Sequence, residues 1–182
     1  GLHTTISVNI DALQLQQSNF VQRLSELLTA HPDVDPSSLQ LEVLETSALA
    51  DIKKVSKIMS NCINLGVRFA LDDFGTGYCS LTYLKQLPVD VIKIDQTFIR
   101  DMLHDPDDLS IVEGVMGLSK AFKREVIAEG VETLQHGVAL LHLGCHFAQG
   151  FGIARPMPAS KLSSWVNSWQ PDKTWTQIKN ES

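Results

Sequence analysis

The sequence contains no apolar run of the roughly 18 residues that a membrane-spanning helix needs, and no signal-peptide pattern. This segment is therefore expected neither to insert into a membrane nor to carry its own export signal. A cytoplasmic location is expected, and a longer parent protein can still be tethered. Cysteine is scarce: Cys62, Cys79 and Cys145 are scattered without paired ligand spacing. They read as reduced thiols in or near a core, not as a disulfide framework or a zinc site. Excess positive charge is also missing. A formal net charge of −6 excludes a nucleic-acid duplex as partner, because such a binder presents a basic face. A phosphate-bearing ligand would have to be met by metal ions or by a few placed cations. The six histidines form no ligand pattern, since Gly144 breaks the helix that would align His142 with His146. There is no internal repeat and no linker, so 182 residues with 43% hydrophobic content make one domain, or most of one.

What the chain does have is Ala70-Leu71-Asp72-Asp73-Phe74-Gly75-Thr76-Gly77. Val67–Leu71 is an apolar run too short for a helix and reads as a buried strand. It ends in two adjacent carboxylates, which are costly to bury unless something cationic neutralises them. A divalent metal is one solution, and hard oxygen ligands suit magnesium or manganese. The alternative is that one aspartate caps a following helix while the other is solvated. Gly75 and Gly77 permit a tight loop after the carboxylates, and turn formation alone explains them.

In chain order, Thr5–Ile10 reads as a strand and Phe20–Ala30 as a helix with Val21, Leu24, Leu27 and Leu28 on one face. His31-Pro32 and Asp35-Pro36 mark a loop. Leu39–Leu44 alternates as a second strand that carries Glu42 opposite the leucines. Ile52, Val55, Ile58, Met59, Cys62 and Leu65 repeat at helical spacing, with Gly66 at the position just past the helix end. After the Asp72-Asp73 strand come a helical turn around Leu81–Leu87 and a fourth strand, Val89–Ile94, containing Lys93. Leu109–Phe122 is predicted helical, Val126–Ala128 a strand ending at Glu129, and Leu134–Leu143 a helix. A sixth strand spans Phe147–Phe151 and includes Gln149. A last helix runs over Ala159–Ser168, and the polar tail over residues 171–182 carries no assignment.

Strand–helix alternation with short connections implies an α/β fold with a parallel sheet and right-handed crossovers. Asn9, Glu42, Asp72, Asp73, Lys93, Glu129 and Gln149 all fall at or near the C-terminal ends of their strands. An open doubly wound sheet gathers ligands at one switch point. Polar residues supplied by every strand favour a TIM-like (β/α) barrel, whose strand ends meet at one mouth.

Asp72-Asp73-Phe74-Gly75-Thr76-Gly77-Tyr78, followed by Leu81, Tyr83-Leu84-Lys85, Leu87-Pro88-Val89-Asp90 and Lys93-Ile94-Asp95, closely resembles the central signature of EAL domains, the cyclic di-GMP phosphodiesterases of bacterial signalling. Val8-Asn9, Glu42-x-x-Glu45-Thr46, Ala128-Glu129-Gly130-Val131-Glu132-Thr133, and Gln149-Gly150-Phe151 with Arg155-Pro156 extend the likeness from about Ile6 to about Trp165. The family's namesake Glu-Ala-Leu segment, whose glutamate is a metal ligand, is found nowhere in these residues. In the family it lies upstream of the strand matched by Thr5–Ile10, and an arginine contacting the nucleotide follows it. Barrels of this kind need about 250 residues, so the chain is expected to hold about six of the eight strand–helix units. Residues 1–182 are expected to be one EAL-type domain lacking its N-terminal portion. Smaller departures are Cys79, His146 and Phe151, where serine, aspartate and tyrosine are common.

The resemblance implies two divalent cations, Mg²⁺ or Mn²⁺. Asn9, Glu42 and Asp72 would hold one, together with the missing glutamate. Asp72 would bridge to a second, held also by Asp73 and Glu129. Lys93 would orient the attacking water or steady the developing charge, so Lys93, Asp73 and Glu129 carry the catalytic assignments. Gln149 would support the cluster, Asp95 would be the counter-charge of Lys93, and Glu45 and Glu132 would be loop-ordering or supporting carboxylates, with surface solvation as the alternative for both. Arg155 is a candidate for contacting the nucleotide, as is Lys85, with a solvated face as the alternative for both. Trp165 and Trp169 read as a packing pair. The implied activity is hydrolysis of cyclic di-GMP to linear pGpG by the parent protein, with GGDEF or sensory domains as expected neighbours. The isolated chain would turn over weakly or not at all, because a ligand is missing. Its unpaired strand edges would invite self-association, a homodimer included. A non-catalytic EAL-like receptor for the same nucleotide or for a protein partner is the alternative. Retention of every acidic ligand that the chain spans favours the enzyme.

Overall fold

Every strand has parallel partners, and helices fill the connections, which makes the chain an α/β protein. The structure, a computed structural model, describes residues 4–48, 51–77 and 81–181. Tyr78, at the end of the loop signature, and Cys79, read above as a core thiol, lie outside the described residues. The chain divides into two compact units. One holds residues up to Lys93 with Phe122–Glu125, and the other holds Ile94–Ala121 with Val126 onward.

In the first unit, β1 (Ile6–Asn9), β2 (Leu39–Leu44) and β3 (Arg68–Phe74) lie side by side in sequence order, with β4 (Val91–Ile94) next to β3 and running out of the unit at its last residue. Register places Asn9 opposite Glu42, and Leu44 opposite Asp72. Residues 40–43 of β2 and residues 69–72 of β3 are buried without interruption, the signature of parallel strands covered on both faces. β1 is exposed throughout. Helices α1 (Ala12–Leu15), α2 (Phe20–Ala30), α3 (Glu45–Ala48), α4 (Ile52–Ile63) and α5 (Leu81–Gln86) fill the connections. α4 follows the predicted periodicity: Val55, Met59 and Cys62 are buried and Asp51 caps it by accepting from the Lys54 N–H. It terminates at Gly66, whose φ of +98° is a left-handed conformation that glycine adopts without steric cost.

In the second unit, α6 (Gln96–Asp101) and α7 (Pro106–Phe122, all but its last residue) precede β5 (Glu125–Ala128, from Val126 on). Then come α8 (Leu134–His142), β6 (Phe147–Ala148), α9 (Ala159–Ser168) and α10 (Lys173–Glu181). Ile127 and Ala128 pair with Phe147 and Ala148 in parallel. α7 begins at Pro106, three residues before the predicted start, because proline at the first helical position and Asp107 and Asp108 in the first turn suit a helix N-terminus. Thr133 caps α8 by accepting from the His136 N–H. β6 is shorter than the predicted Phe147–Phe151. Gly150 lies against the backbone of Val131, with no room for a side chain, and the Ile153 N–H turns back to the Gly150 carbonyl. The polar tail also folds: α10 packs on α8 through Trp175, whose Nε1–H donates to the Leu134 carbonyl at 3.0 Å. Cys62 and Cys145 are buried free thiols. Among the described residues, no helix is long and apolar enough to cross a membrane.

Candidate metal centre

Glu42 on β2 and Lys93 on β4 are charged side chains flanked on both sides by core residues, and Asp72 on β3 follows the core residue Leu71. Strand periodicity puts alternate residues on opposite faces, and the parallel register aligns neighbouring strands, so three polar side chains meet at one place inside the first unit. Lys93 Nζ donates to Glu42 Oε2 at 2.7 Å and lies 2.9 Å from Asp72 Oδ1. The residues are only 6%, 8% and 3% exposed for Glu42, Asp72 and Lys93. Two carboxylates therefore share the Lys93 ammonium in a water-poor setting. The Lys93–Asp72 approach is close in distance but lies off hydrogen-bond geometry, and Asp72 Oδ1 is a buried oxygen with no hydrogen-bond donor. A buried carboxylate oxygen left in this state gains most from a further cation.

Asp73 supplies the second half of the arrangement. In a regular strand, adjacent side chains diverge. Asp73 has φ +53°, a left-handed value that aspartate tolerates better than most residues. This twist breaks the alternation, and carboxylate oxygens of Asp72 and Asp73 lie within 4.8 Å of each other. The turn behind it is held locally, with Thr76 Oγ1–H donating to the Asp73 carbonyl at 2.8 Å.

Glu45 lies directly beneath that loop. It is 1% exposed and accepts the Gly75 N–H at 2.8 Å. A side-chain carbon on Gly77 would sit 2.4 Å from Glu45 Oε1. Gly75 itself has φ +102°. Here the two glycines of the signature have separate physical reasons: a left-handed backbone at Gly75 and close approach to a buried carboxylate at Gly77.

The remaining predicted residues are distributed as follows. Asn9 is exposed at the end of β1, opposite Glu42. In the second unit, Glu129 is half-buried just past β5, with its N–H donating to the Ile94 carbonyl. Asp95 caps α6, accepting from the Thr97 N–H and hydroxyl. Glu132 is exposed and its backbone N–H faces His136 Nδ1 at 3.5 Å. Gln149 is exposed; its N–H bonds to the Ala128 carbonyl, and its own carbonyl accepts from the Val131 N–H. Arg155 stacks over the Phe151 ring at 4.7 Å. Lys85 is exposed on α5. Trp165 and Trp169 pack against each other with centroids 5.8 Å apart.

Asp95, the expected counter-charge of Lys93, instead caps α6. Lys93 forms ion pairs with Glu42 and Asp72, whose strands are neighbours in parallel register, with Leu44 opposite Asp72. The positive φ of Asp73 had no signal in the sequence beyond the glycines that follow it.

The donors in the first unit are hard oxygens on rigid strands, one of them unsatisfied, which is the chemistry a Mg²⁺ or Mn²⁺ ion takes. The family model of the EAL domain matches residues 2–156. MucR of Pseudomonas aeruginosa, a bifunctional diguanylate cyclase/cyclic di-GMP phosphodiesterase, is 42% identical over 161 residues, 88% of this chain and 23% of that protein. A second cyclic di-GMP phosphodiesterase of the same organism is 37% identical over 88% of this chain and 27% of its own length. The chain thus spans about a quarter of the curated relatives it matches. Among solved structures, the MucR phosphodiesterase in complex with cyclic di-GMP superposes with a TM-score of 0.83, covering 87% of this chain and 64% of that one. The EAL domain of Mycobacterium smegmatis DcpA gives 0.85 at 35% identity, covering 92% and 75%. The fold is α/β, a six-stranded parallel sheet consistent with part of a TIM-like barrel, and the chain belongs to the EAL domain family.

Proposed function

We propose that this chain is the metal-binding part of a cyclic di-GMP phosphodiesterase, which hydrolyses the cyclic dinucleotide to linear pGpG in its parent protein. The observation that carries the reading is the meeting of Glu42, Asp72 and Lys93, with Asp73 turned by its positive φ so that its carboxylate lies beside that of Asp72. The family membership and the names of the relatives supply the substrate.

In this reading Asn9, Glu42 and Asp72 hold one divalent cation, Mg²⁺ or Mn²⁺, and Asp72, Asp73 and Glu129 hold a second. When bound, such ions activate a water and neutralise the phosphodiester under attack. The protein's own residues do the rest. Strands β2 and β3 fix the carboxylates so that no reorganisation is needed at the moment of reaction. The Lys93 ammonium is aimed at the same space and orients the attacking oxygen or steadies charge on the phosphoryl oxygens. Glu45 keeps the Gly75–Gly77 loop in place over the carboxylates, and Asp95, by capping α6, anchors the chain just past Lys93. Gln149 and Glu132 support the site from their loops, and Arg155 meets the nucleotide. Sensory or GGDEF domains accompany the chain in a cytoplasmic parent region, and the exposed β1, with Ile6 61% exposed, is a surface for self-association.

The test is hydrolysis of cyclic di-GMP by the parent protein with Mg²⁺ or Mn²⁺ and with chelator. Metal-dependent pGpG formation is expected, with much weaker turnover by the isolated 182-residue chain. Tight nucleotide binding by the metal-loaded parent without any turnover would replace the enzyme with a receptor.

A further inference from the structure

The second unit contains a cavity of about 580 Å³ whose lining, Gln149 at its mouth apart, has no part in the roles above. Its lining includes Ile127 and Phe147 of β5 and β6, Leu140 of α8, and Trp169 and Trp175 of the C-terminal segment. No aspartate, glutamate, lysine or arginine contributes to its lining. The polar side chains there, His146, Gln149 and Thr176, belong to exposed residues, which confines polarity to the mouth.

The aromatic wall is fixed by contacts that do not depend on what fills the space. The Trp175 indole occupies the room that Gly137 leaves by having no side chain: a carbon added there would lie 2.4 Å from the ring. The Nε1–H of Trp175 is held by the Leu134 carbonyl. Trp169 is tilted at 37° against Trp165. A pocket of this size, lined by apolar and aromatic groups that are already ordered, is the form that small-molecule sites take, because little ordering cost remains for a ligand to meet.

We propose that this cavity binds an uncharged, planar aromatic small molecule, stacked against the indoles of Trp169 and Trp175. The absence of charged lining decides the class. An anionic nucleotide would be desolvated there with no cation to meet its phosphates, whereas a neutral ring system loses only its contact with water. One hydroxyl or amide on the ligand can be accommodated at the polar mouth.

The neutral fluorophore N-phenyl-1-naphthylamine tests this when titrated into the full chain, with energy transfer from the tryptophans as the readout. Saturable binding of one probe per chain is expected. Ala148→Phe on β6 and Thr176→Phe on α10 add bulk at exposed positions lining the cavity, and each is expected to weaken binding about tenfold or more while the circular-dichroism melt stays unchanged. Cyclic di-GMP with Mg²⁺ is expected not to displace the probe, and the parent protein is expected to bind it equally. Non-saturable binding, or affinity unchanged in both variants, would overturn the proposal. So would displacement by the nucleotide, which would assign the cavity to the nucleotide site. Loss of binding in the parent would assign it to another segment of that protein, and loss on raising the chain concentration would assign it to a second copy.

Discussion

Replacing Lys93 with methionine, a side chain of similar reach without charge, removes the ammonium that bonds Glu42 at 2.7 Å and lies 2.9 Å from Asp72. Both carboxylates stay where β2 and β3 hold them, with side chains only 6% and 11% exposed. Removing one partner of a buried pair leaves an uncompensated charge and costs about 3–5 kcal/mol. In a domain of this length each kcal/mol moves the melting temperature by about 2–4 °C, so Lys93→Met should lower it by roughly 10 °C in chelator. Two further results separate this cause from loss of packing. Saturating Mn²⁺ should recover much of the loss, since a ligand at a hundred times its Kd contributes about 2.7 kcal/mol. Adding Glu42→Gln to Lys93→Met should also recover stability, because one of the two orphaned charges is gone. Urea unfolding of the wild type and both variants, with and without Mn²⁺, supplies these comparisons. A loss below about 1 kcal/mol for Lys93→Met, or no gain in the variant's own stability on adding Mn²⁺, would refute the reasoning that these carboxylates depend on a cation.

Gly77→Ala places a methyl group 2.4 Å from the buried Glu45 carboxylate and should destabilise by about 1–3 kcal/mol, while Gly77→Ala with Glu45→Ala should cost less than the sum of the single changes; thermal melts of the three variants decide it. Glu45→Gln should leave stability closer to wild type than Glu45→Ala, because an amide oxygen still accepts the Gly75 N–H. Burial pushes the Cys62 thiol up from 9.0 to about 11, so its neutral form is favoured by the fold. That contribution is complete below about pH 9 and is lost as pH rises toward 11. In a Cys79→Ser background, thiol labelling of the folded chain should stay slow through pH 9, and Cys62→Ala should flatten the fall in stability over that window.

Much of the fold was legible because local and global signals agree. The period of α4, its Asp51 cap and its Gly66 stop all point to one helix, and β2 and β3 read as strands from their apolar runs. What escaped was set by neighbours distant in sequence. β6 stops after two residues because Gly150 is pressed onto Val131, a contact no local pattern announces. α10 is polar and has little helical signal of its own; Trp175 and the bare Gly137 hold it in place. At the site, the acidic residues were legible as residue types at strand ends. Their partners were not, since the pairing of Lys93 with Glu42 comes from register across strands and the turn of Asp73 from a single backbone angle.

The most direct test combines metal binding and turnover in the parent protein. After chelator stripping, Mn²⁺ is titrated by electron paramagnetic resonance and cyclic di-GMP hydrolysis is followed in the same samples. Two Mn²⁺ ions per domain are expected. Asp72→Asn and Asp73→Asn should each weaken that binding and reduce turnover by more than the roughly 10–100-fold typical of losing a mere supporting partner. Hydrolysis at the wild-type rate with Mn²⁺ binding intact in both variants would contradict the assignment of these strand-end carboxylates to the metals.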